Sequence, residues 1–203
     1  ILMSNTYYPA VARPNVAVHA TAVARIDGSR VIGADGTVAE VDAIIYGTGF
    51  HILDMPIADR VFDGDGRSMA GRWQGTPRAY LGTTVSGFPN FFMLLGPSLG
   101  TGHSSAFTIL EAQLTYVLGA LGHRARSGDA VVDVRPEVQA AYVADVQGAL
   151  PQTVYAAGGC ASYYVDANGI NSFNWPWSTP AMERRLATFE PDAYERQPAQ
   201  EVS

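Results

Sequence analysis

Between Val16 and Phe50 the apolar positions come as short Val, Ile and Ala stretches cut by Asp27-Gly28 and Asp35-Gly36, dipeptides that favour tight hairpin turns. Asp42 to Phe50 predicts one further strand. From His51 to Ala79 the pattern dissolves into Asp, Gly, Arg and Pro with scattered apolar residues, which predicts a linker containing a domain boundary. Phe91 to Leu95 is a continuous apolar run stopped by Gly96-Pro97, as in a central strand covered on both faces. The polar segment Ser98 to Ser105 is then expected to be flexible and unable to pack a core.

Helical periodicity follows. Phe107, Leu110, Leu114, Val117, Leu118 and Leu121 recur at three- and four-residue spacing and predict one buried face of a helix from Ser104 or Ser105 to Leu121. Either serine suits the N-cap, and Gly119 and Gly122 mark the expected end. A second helix is predicted from Pro136 to Ala149, with Pro and Glu in its first turn and Pro151 beyond it. The tail carries Tyr163, Tyr164, Trp175 and Trp177 among Gly, Asn and Pro and reads as irregular; from Glu190 onward it is polar and expected to fray.

Composition removes several classes of function. The 203 residues are 47% hydrophobic and carry a formal charge of −6, so no basic footprint for nucleic acid or an anionic membrane exists. Phosphate ligands would have to be met by local Arg residues or backbone N–H groups. Every basic residue is Arg, a composition bias without functional weight. No apolar run reaches the ~20 residues of a membrane span, and the lone Cys160 cannot form an internal disulfide, consistent with a cytoplasmic protein. His19, His51, His103 and His123 are scattered and predict no metal site. The chain opens on Ile1 with neither an initiator Met nor a signal peptide, and is expected to be a piece of a longer polypeptide.

Gly47-Thr48-Gly49 opens like a dinucleotide fingerprint, but Ile52 stands where the third Gly belongs. In the loop Gly96 to Ser105, the following helix would aim free N–H groups and its positive dipole end at an anionic acceptor, an effect of about 0.3–2 kcal/mol. A nucleophilic hydrolase is set aside because His103, Ser104 and Ser105 are adjacent, which rarely makes a productive pair, and no nucleophile elbow is recognised.

Tyr46-Gly47-Thr48-Gly49-Phe50 and the stretch from Ala79 to Glu111, centred on Gly87-Phe88-Pro89-Asn90-Phe91-Phe92-Met93-Leu94-Leu95-Gly96-Pro97, resemble the C-terminal part of class B flavoprotein monooxygenases. The Baeyer-Villiger monooxygenases are the nearest type, with the N- and S-oxygenating flavin-containing enzymes as relatives. The resemblance runs from Leu2 to about Ala187. It implies an α/β fold: the C-terminal part of a flavoprotein with two Rossmann-like dinucleotide-binding domains, having an incomplete sheet, a β-hairpin excursion and C-terminal helices. Residues 1–50 would end the NADP-binding domain, 51–79 would be the linker, and 80–203 would belong to the FAD-binding domain.

The same resemblance implies a division of the site. Thr48, Gly49, Phe50 and Tyr163 would lie at the nicotinamide nucleotide. Tyr163 stands where the family has Trp, which leaves a phenol in place of an indole donor. Gly96, Pro97, Ser104, Ser105 and Ala106 would lie at the flavin, and Thr101, Gly102 and His103 would line the substrate pocket, His103 as wall rather than base. The catalytic Arg and both pyrophosphate loops are expected upstream of Ile1, so no catalytic residue is assigned here. The implied activity uses FAD, NADPH and O2 to insert one oxygen atom into a ketone, or another apolar substrate, through a flavin peroxide. Heteroatom oxygenation and a non-catalytic α/β binding module are the alternatives. This chain would require the N-terminal part of its own polypeptide, and the 203-residue chain alone is expected to purify without flavin. Stoichiometric flavin absorbance in the purified chain would contradict that expectation.

Overall fold

The computed structural model describes residues 4–157 and 162–198. Cys160, like Leu2 where the resemblance begins, lies outside the described residues. The chain divides into two compact units that meet in sequence at Gly49 and Phe50.

The first unit holds a short helix, α1 (Tyr7–Val11), and an antiparallel three-stranded sheet, β1 (Val23–Asp27), β2 (Arg30–Gly33) and β3 (Val38–Glu40), in sequential order. Both predicted turns are present. Asp27 pairs with Arg30 across Gly28 and Ser29, with Gly28 at φ +61°, a conformation that Gly adopts at no steric cost. At the second turn the Gly33 N–H donates to Thr37 O at 2.8 Å, and the Asp35 carboxylate accepts from the Thr37 N–H at 3.0 Å. The strand expected over 42–50 does not form. Among the described residues nothing pairs with it, and Ile45 stands 96% exposed. A buried strand takes its stability from neighbours on either side, and an apolar sequence alone does not replace them.

The second unit contains α2 (Met69–Trp73), α3 (Ala106–Ser127), β4 (Asp129–Val134), α4 (Pro136–Ala149), α5 (Val154–Ala157), α6 (Thr179–Leu186) and β5 (Tyr194–Pro198). Residues 51–79, expected as linker, carry a 3-10 turn and α2; Ala58, Met69 and Trp73 pack there with Val85, Phe88 and Met93. The main core joins α3, β4, α4 and α6, with Trp175 and Tyr194 among its buried residues. The tail does not fray at Glu190. β5 pairs antiparallel with β4, Val134 opposite Tyr194, and the phenol of Tyr194 meets Tyr116 at 3.0 Å and Thr84 Oγ1 at 3.1 Å. Burial pushes the Tyr194 phenol up to about 12 and Tyr116 far higher, so this network is neutral.

Helix α3 departs from the pattern reading twice. Ser105 caps it, its Oγ accepting from the Phe107 N–H at 3.2 Å, but the helix runs past Gly119 and Gly122 to a left-handed Gly128. Gly119 does not break it because Phe189 packs there; a Cβ would lie 3.1 Å from that of Phe189. The buried face is Ile109, Gln113, Tyr116 and Ala120, whereas Phe107 and Leu118 are 76% and 65% exposed. α4 has the predicted bounds. Phe91 to Leu95 is not a strand: Asn90 and Leu95 have positive φ, and Leu94 and Leu95 are exposed.

The Asp63-Gly64-Asp65-Gly66 turn is closed by the Asp63 carboxylate. It accepts from the Arg67 N–H at 2.8 Å and the Asp65 N–H at 2.9 Å, and pairs with Arg72 Nε. The Arg67 bond, then those from Arg72 and Asp65, hold the Asp63 carboxyl below its ordinary 3.8 against opposing desolvation. With the folded value depressed, this stabilisation is present above pH 3.8 and lost as the pH falls through the folded value. Asp63→Asn is therefore expected to lower Tm at neutral pH, with a deficit that narrows below pH 3.8. Thermal unfolding across pH 3 to 7, roughly spanning the Asp titration range, checks this, and a constant deficit would contradict it.

Candidate active site

Gln113 is the polar residue that builds the site from beneath. Its side chain is fully buried on α3, and its amide nitrogen donates to Gly82 O at 2.9 Å and Thr83 Oγ1 at 3.0 Å. Its amide oxygen accepts from the Leu95 N–H at 2.8 Å. This side chain adds to the backbone bond from the Met93 N–H to Thr83 O at 2.8 Å in holding the irregular 91–95 segment. Gly96 follows where no Cβ fits, since it would fall 2.3 Å from Gly82 O. Pro97 is buried beside it.

The glycine-bearing turn is ordered by the distant tail and is not the mobile loop its composition predicts. The Ser98 N–H donates to Ser172 O at 2.9 Å, the Gly100 N–H to Phe173 O at 2.8 Å, and the Trp175 N–H to Gly100 O at 2.8 Å. Leu99 is in the main core at 1% exposure. Gly100 lies against Phe173, whose ring would be 2.1 Å from an added Cβ. Farther along, Thr101 Oγ1 and Ser104 Oγ meet at 2.9 Å, and the Gly102 N–H donates to the Tyr155 phenol at 3.0 Å.

Thr101, Ser104 and Ala106 share a mostly apolar cavity of about 220 Å3 with Leu99, Ile109 and Phe173. His103 is exposed and does not line it. Ser105 serves as the cap of α3, and no acidic residue occupies the first turn of that helix. Phe50 and Tyr163 line a separate cavity of about 580 Å3 with Met55, Trp73 and Val165. Tyr163 packs on Tyr164 at 4.6 Å, and Tyr164 stacks on Phe173 at 4.9 Å. A hydrogen bond with Tyr163, then burial, pushes the Tyr164 phenol up to about 12. Thr48 and Gly49 belong to the first unit, where Gly49 has φ +86° and open space at its Cβ position. Of the candidate residues the structure brings Thr101, Ser104 and Ala106 into one cavity lining of the second unit and Phe50 and Tyr163 into another, while Thr48, Gly49, Gly96, Pro97, Gly102, His103 and Ser105 line neither. Among the described residues no group of His, Cys, Asp and Glu could hold a metal, and no helix is long and apolar enough to cross a membrane.

Gln113, Tyr155 and Phe173 were not candidates on sequence grounds; only contacts over long sequence separations reveal them. A signal for Ser98 does stand in the sequence, because Gly96-Pro97-Ser98-Leu99-Gly100 spells Gly-x-Ser-x-Gly, which corrects the expectation that no such elbow is present. The context of a nucleophile is missing. Ser98 is 4% exposed, the next helix starts only at Ala106, and among the described residues no imidazole is bonded to it.

No family model matches the chain. Over 185 residues, 91% of its length, it is 45% identical to a Baeyer-Villiger monooxygenase of Streptomyces coelicolor. Over that span the chain is similar to the C-terminal part of the Baeyer-Villiger monooxygenases. It is 38% identical over 195 residues to a Baeyer-Villiger monooxygenase of Pseudomonas aeruginosa, and spans 36% and 37% of these two relatives. The closed crystal structure of cyclohexanone monooxygenase superposes on 97% of the chain with a TM-score of 0.78 at 24% identity, the chain spanning 38% of it. The OTEMO complex with FAD and NADP covers 96% of the chain with a TM-score of 0.77 at 21% identity, the chain spanning 37% of it. At these identities the structures show a shared fold, that of the C-terminal part of a Baeyer-Villiger flavoprotein.

Gln113→Ala should strip several buried groups of their partners at once and lower unfolding stability by about 2–4 kcal/mol. Leu118→Ala, on the exposed face of the same helix, should cost within roughly 0.5 kcal/mol. Denaturant titrations of both variants check the contrast. Gly100→Ala must displace the Phe173 ring, and limited proteolysis is expected to show faster cleavage within 98–105 than in the parent.

Proposed function

We propose that the protein carrying this chain is an FAD- and NADPH-dependent monooxygenase that converts a ketone to an ester or lactone. The overall balance is ketone, O2, NADPH and a proton to ester, water and NADP+. The observation that carries this reading is the 45% identity spread over 91% of the chain. It is supported by the ordering of Thr101, Ser104 and Ala106 around one apolar cavity at the amino end of α3.

The residues present fit the two cofactors. The amino end of α3 has no acidic side chain in its first turn, which suits the electron-rich edge of a reduced flavin. Ser104, Ser105 and Ala106 would meet the flavin there, with Gly96 and Pro97 fixing the approach of the turn. Thr48, Gly49, Phe50 and Tyr163 would meet the nicotinamide nucleotide, with Gly49 permitting close backbone approach. When bound, FAD supplies electron transfer from NADPH to O2 and delivery of oxygen to the substrate.

This chain's own part is to bind, orient and exclude water. Thr101, Gly102 and His103 would form one wall of the substrate pocket, held by Ser104 and the Tyr155 phenol. The turn leading into this wall is held at Ser98 and Gly100 by backbone hydrogen bonds with 172–175. His103, exposed and outside the lining of the smaller cavity, is proposed for the outer part of that wall and not as a base, since among the described residues no acidic side chain pairs with its ring. A cytoplasmic location goes with this reading.

Full-length protein supplied with NADPH and O2 and offered a panel of ketones, sulfides and amines should give esters or lactones as the main products. Exclusive sulfoxide or N-oxide formation would move it to the heteroatom-oxygenating relatives, and undiminished NADPH- and O2-dependent turnover by protein stripped of flavin and given none would overturn the reading. Tyr163→Ala is expected to raise KM for NADPH by roughly three- to tenfold, about the loss of one contact, with less effect on KM for the ketone.

A further inference from the structure

Ser98 faces a further cavity, of about 170 Å3, whose polar lining is Thr76, Arg78, Ser98, Gln147 and Ser172. Thr76, Ser98 and Ser172 are 7%, 4% and 2% exposed, and Ser172 Oγ is buried without a hydrogen-bond partner. Thr76 Oγ1 accepts from Asn168 Nδ2 at 2.8 Å, which leaves its own proton free to donate. Ser98 sits at φ +63°, sparsely populated for a residue other than Gly, and its N–H bond to Ser172 O brings both hydroxyls to the same cavity. The exposed Arg78 is anchored by bonds from Nε to Thr76 O and from Nη2 to Trp73 O, both 3.3 Å, and among the described residues no carboxylate pairs with it. Gln147 directs its amide nitrogen to Asn171 O at 2.9 Å.

Hydroxyl donors converge here with an anchored, unpaired guanidinium, and no Asp or Glu lines the cavity. We propose that this cavity binds a small tetrahedral oxyanion of the phosphate or sulfate type. Its volume is below the roughly 300–1,000 Å3 of pockets that take drug-sized ligands, which excludes a nucleotide. Water would satisfy the hydroxyls but gives no role to a guanidinium fixed beside a lining without carboxylates. The site is independent of the monooxygenase reading.

The test uses the full-length protein, with inorganic phosphate exchanged for chloride at constant ionic strength. Phosphate is expected to raise Tm saturably, and sulfate to compete with it. Arg78→Gln and Ser172→Ala should each raise the half-saturating concentration roughly tenfold or more. Without phosphate, Ser172→Ala should be as stable as the parent, because it removes a hydroxyl that has no partner. An equal shift with chloride, or unchanged half-saturation in both variants, would overturn the proposal. So would a Ser172→Ala deficit that is the same with and without phosphate, which would assign the cavity to structural water.

Discussion

A single buried amide holds the candidate site together. Gln113 donates to Gly82 O and Thr83 Oγ1 and accepts from the Leu95 N–H, so two irregular backbone segments are pinned to the middle of α3. Irregular backbone in a protein interior is costly unless its polar groups find partners. Here a side chain supplies most of them, beside the backbone bond from the Met93 N–H to Thr83 O. The positive φ at Leu95 and the crowding at Gly96 are tolerated because that attachment determines where the chain runs.

From this anchor the turn at 98–102 is closed by the tail. Backbone bonds to 172–175, the Phe173 ring on Gly100 and the Tyr155 phenol on Gly102 act together, and each joins residues more than fifty positions apart. The aromatic series Tyr163, Tyr164 and Phe173 runs from the lining of the larger cavity to the turn beside the smaller one. The candidate nucleotide contact Tyr163 and the candidate substrate wall are consequently parts of one packed body.

The apolar faces tell a complementary story. On α3 two stripes share the helical period, and the more hydrophobic one, with Phe107 and Leu118, is exposed in this chain while Ile109, Gln113, Tyr116 and Ala120 are buried. Ile45 and Tyr46 are likewise exposed where a buried strand was expected. Periodicity reports that a face is suited to burial. It does not say which neighbour covers it, and the neighbours in this chain select the stripe whose tyrosine and glutamine can be hydrogen-bonded.

Local signals were legible in the residues themselves. The Asp-Gly hairpins, the Ser105 cap and the bounds of α4 depend on φ preferences and on hydrogen bonds within a few positions, so composition and order were enough to determine them. The resemblance carried by Tyr46 to Phe50 and by Ala79 to Glu111 likewise needed no coordinates. Tertiary structure alone decided the pairing of β5 with β4, the burial of Gln113, the ordering of the 98–102 turn and the meeting of Ser98 with Ser172. Each depends on groups far apart in sequence, whose attraction outweighs local preference only after the chain has closed on itself.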